Sequence, residues 1–180
     1  EAEEQLKGMF NQKWGTMVIG PAGENLVKMA SINSDYYRQA GRGGVGAVLG
    51  SKNIKGIIVS GTKGVEVHDL QKMLELQHIT MKQLQESQVG QTRKKYGTPF
   101  TLNITNVAGM LPCYNFTKGT IKNAEDFLGA EGVLENLIAD RACHGCILAC
   151  SKVVKAKTGE FPGEVVEGPE YETLGMMGSN

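Results

Sequence analysis

The 180 residues carry 19 Lys+Arg against 19 Asp+Glu, a formal net charge of zero, and 41% hydrophobic side chains. That suffices for one ordinary domain or two small ones sharing a core, and the balanced charge argues against nucleic-acid binding by bulk basicity or an acidic disordered chain. No apolar run approaches the ~20 residues that span a bilayer and no charged-then-apolar leader opens the chain, so a cytoplasmic protein is expected, with neither membrane nor nucleic acid as partner.

Glycine is the outlier. The chain has 24 of them, well above the usual share of roughly 7%, without a G-X-Y period, so they are expected at turns and close backbone approaches. The sequence starts at Glu1 rather than Met and stops in a Gly/Met-rich stretch, as a piece cut from a longer protein would.

In chain order, residues 15–32, GTMVIGPAGENLVKMASI, alternate short apolar runs with Gly and Pro. The pattern predicts short strands joined by turns at Gly20-Pro21 and Gly23. Residues 40–56, AGRGGVGAVLGSKNIKG, satisfy G-x-G-x-x-G at Gly41, Gly43 and Gly46, a dinucleotide-binding pattern. Its context is wrong: NSDYYRQA before it is polar and poorly strand-like, and Gly50 is expected to interrupt any following helix after three residues. A P-loop fails as well, because Ser51 separates Gly50 from Lys52. What survives is a glycine loop with Arg38, Arg42, Lys52 and Lys55 within 18 residues. Such a loop presents backbone N–H groups to an anion, and the cations add charge-assisted hydrogen bonds. The alternative is a tight sheet corner with solvated cations.

Residues 54–60 read as a strand, closed by Gly61-Thr62-Lys63-Gly64. Asp69 then predicts the N-cap of a helix over 70–88, with Leu70, Met73, Leu74 and Leu84 on one apolar stripe and a break at Gly90. Its polar face, with Lys72, Glu75, Lys82 and Glu86, is expected in solvent. Residues 91–123 read as short helices and irregular loop. A helix over 131–141, EGVLENLIADR, is expected to lead into the cysteines, and residues 153–174, VVKAKTGEFPGEVVEGPEYETL, read as strand-like pieces broken at Gly159, Pro162-Gly163 and Gly168-Pro169. The fold class is therefore α+β: a β-rich N-terminal part, 1–64, and a mainly helical region, 65–180, hinged near 61–68.

Three of the four cysteines, Cys143, Cys146 and Cys150, fall inside eight residues. Disulfide frameworks spread their cysteines to staple distant loops, so this cluster points to reduced thiols. On an ideal helix the three would be strung over about 10 Å of axis, too stretched to converge on one centre. Gly145 lets the backbone leave helical geometry. Three thiolates need a fourth ligand for a tetrahedral zinc or a cubane iron–sulfur site, either Cys113 or a residue outside this chain. Zinc sites are more often built from two separated pairs, so iron–sulfur ligation fits better; inert packing of small apolar thiols is the bland alternative.

From Glu160 to Glu172 there are five Glu and no Lys or Arg. If GPEYETL is extended, Glu170 and Glu172 share a face and Tyr171 takes the other. A carboxylate there could serve as a general base, although a solvated acidic loop explains the run equally simply.

Four segments taken in order, GPAGENLVK (20–28), AGRGGVGAVLGSKNIK (40–55), CHGCILAC (143–150) and EGPEYETLGMMGSN (167–180), resemble the aldehyde:ferredoxin oxidoreductase family of tungsten, sometimes molybdenum, enzymes. The resemblance implies an internal fragment of a much longer protein, holding the tail of a pterin-binding β domain and the start of a cluster-bearing helical one. It implies a tungstopterin or molybdopterin in bis-pterin form, Mg2+ between the pterin phosphates, and a [4Fe–4S] cluster. Aldehydes would be oxidised to carboxylic acids, with electrons passed to ferredoxin or a similar carrier, in a full-length protein that forms a homodimer. By the same resemblance Ala40, Gly41, Arg42, Gly43 and Gly44 contact the pterin phosphates, and Cys143, Cys146 and Cys150 ligate the cluster. The fourth cluster cysteine would lie beyond Asn180, and Cys113 is not expected to bind. Glu172, then Glu170, matches the carboxylate near the metal. A competing reading is a small zinc- or cluster-stabilised module that binds a phosphate-bearing ligand without catalysis.

Overall fold

The computed structural model describes residues 1–10 and 14–179. The chain divides into two compact units, Glu1–Glu66 and Val67–Asn180.

The first unit is built on a four-stranded antiparallel sheet in the order β3-β2-β1-β4, from β1 (Gly15–Val18), β2 (Ile32–Ser34), β3 (Arg38–Ala40) and β4 (Gly56–Val59). Thr16 and Val18 point inward while Met17 faces out, the alternation of a half-buried strand. Helix α1 (Ala2–Gly8) packs against β1. The expected series of strands over 15–32 is corrected here: after β1 the chain forms the short helix α2 (Pro21–Glu24), with Pro21 at its first turn, where a missing N–H costs nothing. The polar NSDYYRQA stretch, judged poorly strand-like, makes the β2–β3 hairpin, with Asp35 and Tyr36 at positive φ in its turn. Cross-strand pairing inside the sheet outweighed local propensity there.

Helix α3 (Val45–Ser51) follows the glycine loop and runs through Gly50, which corrects the expected interruption. The reason is packing. A Cβ on Gly50 would stand 1.9 Å from the Gly23 carbonyl oxygen, and one on Gly46 would stand 2.4 Å from that of Ser31. Only glycine lets α3 come this close to α2 and the chain after it.

The second unit begins with α4 (Leu70–Glu86), whose N-cap is the predicted Asp69: its carboxylate accepts the Lys72 N–H at 2.9 Å. The break falls at Ser87, not Gly90. Ser87 caps α5 (Gln88–Tyr96) by accepting the Gly90 N–H at 2.9 Å, and Gly90 lies inside α5. α6 (Phe100–Val107), α7 (Ala124–Phe127) and α8 (Ala130–Glu135) follow. Leu102, Leu111, Cys113 and Ala124 form the core, with Ile121, Leu128, Tyr171 and Leu174 against it.

The expected helix over 131–141 is half wrong. α8 ends at Glu135 and the next residues form β5 (Leu137–Arg141), the edge of a three-stranded antiparallel sheet ordered β5-β6-β7, with β6 (Ser151–Lys155) and β7 (Val165–Glu167). Pairing with β6 turns a helix-compatible sequence into strand. α9 (Tyr171–Thr173) and a π-helical turn, Leu174–Gly178, complete the unit. Among the described residues no helix is long and apolar enough to cross a membrane.

Candidate functional site

Two segments carry the candidate chemistry, one in each unit. In the first unit, Ala40, Gly41, Arg42 and Gly43 are exposed and Gly44 is buried. Gly43 and Gly44 have φ of +85° and +68°, a left-handed stretch favouring glycine. Their surroundings differ. A Cβ on Gly44 would stand 2.0 Å from the Lys28 carbonyl oxygen, whereas nothing lies within 4 Å of one on Gly41 or Gly43. Internal packing thus accounts for Gly44, Gly46 and Gly50, and leaves bare backbone at 41 and 43. Arg42 has no ion-pair partner among the described residues, while Lys55 is paired with Glu24 at 2.6 Å. An exposed backbone with a free guanidinium suits an anion such as a phosphate.

In the second unit the cysteine loop joins β5 to β6. The Cys146 N–H donates to the Cys143 carbonyl at 3.0 Å, closing a turn around His144 and Gly145, with Gly145 at φ +71°. The loop is not helical, as convergence of the thiols demands. Cys143 and Cys146 are exposed and Cys150 half-buried, all three as free thiols. Among the described residues no three His, Cys, Asp or Glu side chains stand gathered as a metal-holding group. The fit to an iron–sulfur group is therefore one of donor chemistry: soft, accessible thiols on one short non-helical loop. Gly145, Cys146 and Ile147 share a groove of ≈ 350 Å³ with Met73, Leu76 and Leu84 of α4. Cys113 belongs elsewhere. It is fully buried, and its thiol donates to the Lys118 carbonyl at 3.1 Å.

The acidic segment lies beside the exit of that loop. Ser151 donates to Glu167 at 2.7 Å and lies 3.4 Å from Glu170; Arg141 pairs with Glu167 at 3.2 Å. Thr98 donates its hydroxyl to Glu170 and accepts the Tyr171 N–H at 3.1 Å. The expected extended geometry is corrected: Glu170 is the N-cap of α9 and Glu172 sits within it, so the two carboxylates are not related by strand alternation. Glu170 is held by neighbours, whereas Glu172 is exposed.

Sequence reasoning missed two polar groups. Lys152 is buried, bonded to the Lys94 carbonyl and to Asp140; a lone Lys in a strand reads as solvent-facing. Glu3 is the other. It accepts from Thr16 at 2.6 Å, Lys7 at 2.8 Å, Asn33 at 2.9 Å and the Tyr36 N–H at 2.9 Å. Burial pushes its carboxyl up, but hydrogen bonds from Lys7, Thr16 and Tyr36 outweigh burial and hold it below its ordinary value.

Comparison with known proteins joins both segments to one family. The family described as aldehyde ferredoxin oxidoreductase matches twice, its N-terminal domain over residues 1–61 and its domains 2 and 3 over residues 75–180. A tungsten-containing aldehyde ferredoxin oxidoreductase of Pyrococcus furiosus is 42% identical over 97% of this chain and 28% of its own length. One from Thermococcus kodakarensis is 42% identical over 90% of this chain and 26% of its own. The chain thus spans little more than a quarter of these relatives. Among solved structures, the active-site complex BamBC of benzoyl coenzyme A reductase with 1,5-dienoyl-CoA superposes with a TM-score of 0.62, at 21% identity, covering 92% of this chain and 27% of that one, a likeness of fold. The comparisons lend no support to the zinc-stabilised binding module. With matched segments over both units and an α+β fold shared with such a structure, this chain belongs to the aldehyde ferredoxin oxidoreductase family.

Proposed function

We propose that this chain is part of a tungsten- or molybdenum-pterin oxidoreductase that oxidises aldehydes to carboxylic acids and passes electrons through a [4Fe–4S] cluster to ferredoxin or a similar carrier. The observation that carries the reading is the loop of three accessible free thiols, Cys143, Cys146 and Cys150, in a chain whose relatives are tungsten-containing aldehyde ferredoxin oxidoreductases.

When bound, the metal–pterin group supplies two-electron oxidation and the cluster supplies one-electron exit. The chain's own residues bind and orient. Gly41 and Gly43 would present open backbone to the pterin phosphates, with Ala40 and Gly44 at the loop's ends and Arg42 adding a cation that pairs with those phosphates; an accompanying Mg2+ would be held by phosphate oxygens, not by Arg42. The three cysteines supply thiolates, the fourth ligand coming from outside residues 1–180. Glu172 is the carboxylate to which we assign holding or moving a proton; Glu170, already accepting from Thr98, stands second. The whole enzyme is proposed as a cytoplasmic homodimer.

Elemental analysis of the full-length protein purified without oxygen tests the reading. Tungsten or molybdenum with about four irons per chain, one cubane cluster, is the expected result, followed by aldehyde-dependent reduction of a viologen dye. Zinc without iron overturns it.

A further inference from the structure

Ser151 and Lys152 follow Cys150 directly, and both are buried, at 4% and 2% exposure. The Lys152 ammonium donates to the Lys94 carbonyl at 2.7 Å, in the last turn of α5, and to Asp140 on β5 at 2.6 Å. Its backbone carbonyl accepts the Gly168 N–H at 2.7 Å. Lys152 thus joins the end of α5, strand β5 and the approach to the acidic segment. The Cys150 carbonyl oxygen and Lys152 Cε lie 2.5 and 3.3 Å from the point where a Gly97 Cβ would stand. Glycine at 97, with φ of +69°, lets the end of α5 close on the cysteine's own backbone.

Filling this space does not require a charge. A Met or Leu has similar reach, and taking an ammonium out of water costs several kcal/mol unless good partners replace the water. Here the partners are a carboxylate and a helix C-terminal carbonyl, which carries partial negative charge. They are unequal in exposure: the Asp140 side chain is 47% exposed and that of Lys152 1%. Water screens the carboxylate far more than the ammonium. What stands beside the loop is a buried ammonium, paired with a largely solvated carboxylate, two residues from Cys150, its Cε and the Cys150 carbonyl oxygen closing on the same point above Gly97.

We propose that Lys152 is a positioning residue for the Cys150 arm of the loop, and that its charge raises the reduction potential of an iron–sulfur cluster held there. The proposal rests on the functional reading above. A cluster gains negative charge on reduction, so a nearby cation favours the reduced form.

The test uses the full-length protein purified without oxygen, as wild type, Lys152→Met, Lys152→Arg and Asp140→Asn. Iron content, the electron paramagnetic resonance spectrum of the reduced cluster and a dye-mediated redox titration are measured on each. Lys152→Met is expected to keep iron but lower the midpoint potential and alter the spectrum, and Lys152→Arg to restore both. Asp140→Asn, which removes the opposing charge at an exposed position, shifts the potential upward. If Lys152→Met does not fold, the Asp140→Asn shift decides alone. Iron-loaded variants with unchanged potential and spectrum overturn the charge assignment and leave the functional reading standing. A wild type without iron overturns that reading, and this proposal with it.

Discussion

Glu3, near the start of the chain, ties α1 to β1 and to the β2–β3 turn. Lys7 bridges it to Asp35, 3.2 Å away, and lies over the Tyr36 ring at 4.2 Å. At Asp35, burial raises the carboxyl and the bonds from Lys7 and the Thr16 N–H more than reverse this, so it too is held below its usual value. Burial lowers the Lys7 ammonium, and Glu3 and Asp35 raise it further, to a net rise. The signs give a window. The carboxylates contribute stability that is complete above their unfolded values, near pH 4, and is lost as pH falls through their depressed folded values. Lys7 contributes stability that is complete below its unfolded value, near pH 10.4, and is lost as pH rises through its raised folded one. Glu3→Gln should cost about 1–3 kcal/mol at neutral pH and flatten the acid limb. Urea unfolding followed by Trp14, the chain's one tryptophan, measures both; an acid limb unchanged by the substitution would count against the network. At the same scale, the glycines separate packing from binding. Gly50→Ala should destabilise the fold by about 1–3 kcal/mol, because its Cβ meets backbone that cannot yield. Gly41→Ala, with open space around it, should leave stability unchanged and lower pterin content in the full-length protein; equal unfolding midpoints for the two variants would refute the distinction.

At the level of elements, Asp69→Ala should cost roughly 1 kcal/mol, read as a loss of α4 helicity by circular dichroism; no change would mean the cap is idle. That cap was legible in the sequence because a capping side chain and a 3.6-residue period are local signals. Leu137–Arg141 was not legible. LENLIADR spaces its apolar residues as a helix could, and only pairing with β6 makes part of it a strand. The same holds for the β2–β3 hairpin, whose polar residues are strand because β1 stands beside them. The cysteine loop was legible as a candidate site because its donors are contiguous. The glycine loop was legible only in part, since sequence does not tell a glycine that faces a carbonyl, such as Gly44, from one that faces open space, such as Gly43. Lys152 and Glu3 were invisible, because their partners lie on other elements.

Across the whole molecule, α4 has no buried residue, and Leu70, Met73, Leu74, Leu76 and Ile79 are each at least half exposed. A helix without a buried face draws little stability from packing. The isolated 180 residues should therefore show fast amide exchange along α4 and no aldehyde-dependent viologen reduction. Protection of α4 comparable to that of β1, or measurable turnover, would contradict this. The turn that brings Cys143 and Cys146 together has a further consequence. Its closed backbone bond sets their Cα atoms within about 7 Å, the limit for a disulfide. In air, dioxygen can take two electrons and two protons from this pair and join its sulfurs, after which neither can donate to a metal. Thiol reductants reverse the change. On the functional reading proposed above, whether iron or oxygen reaches the loop first would decide between a loaded loop and an inert, internally cross-linked one.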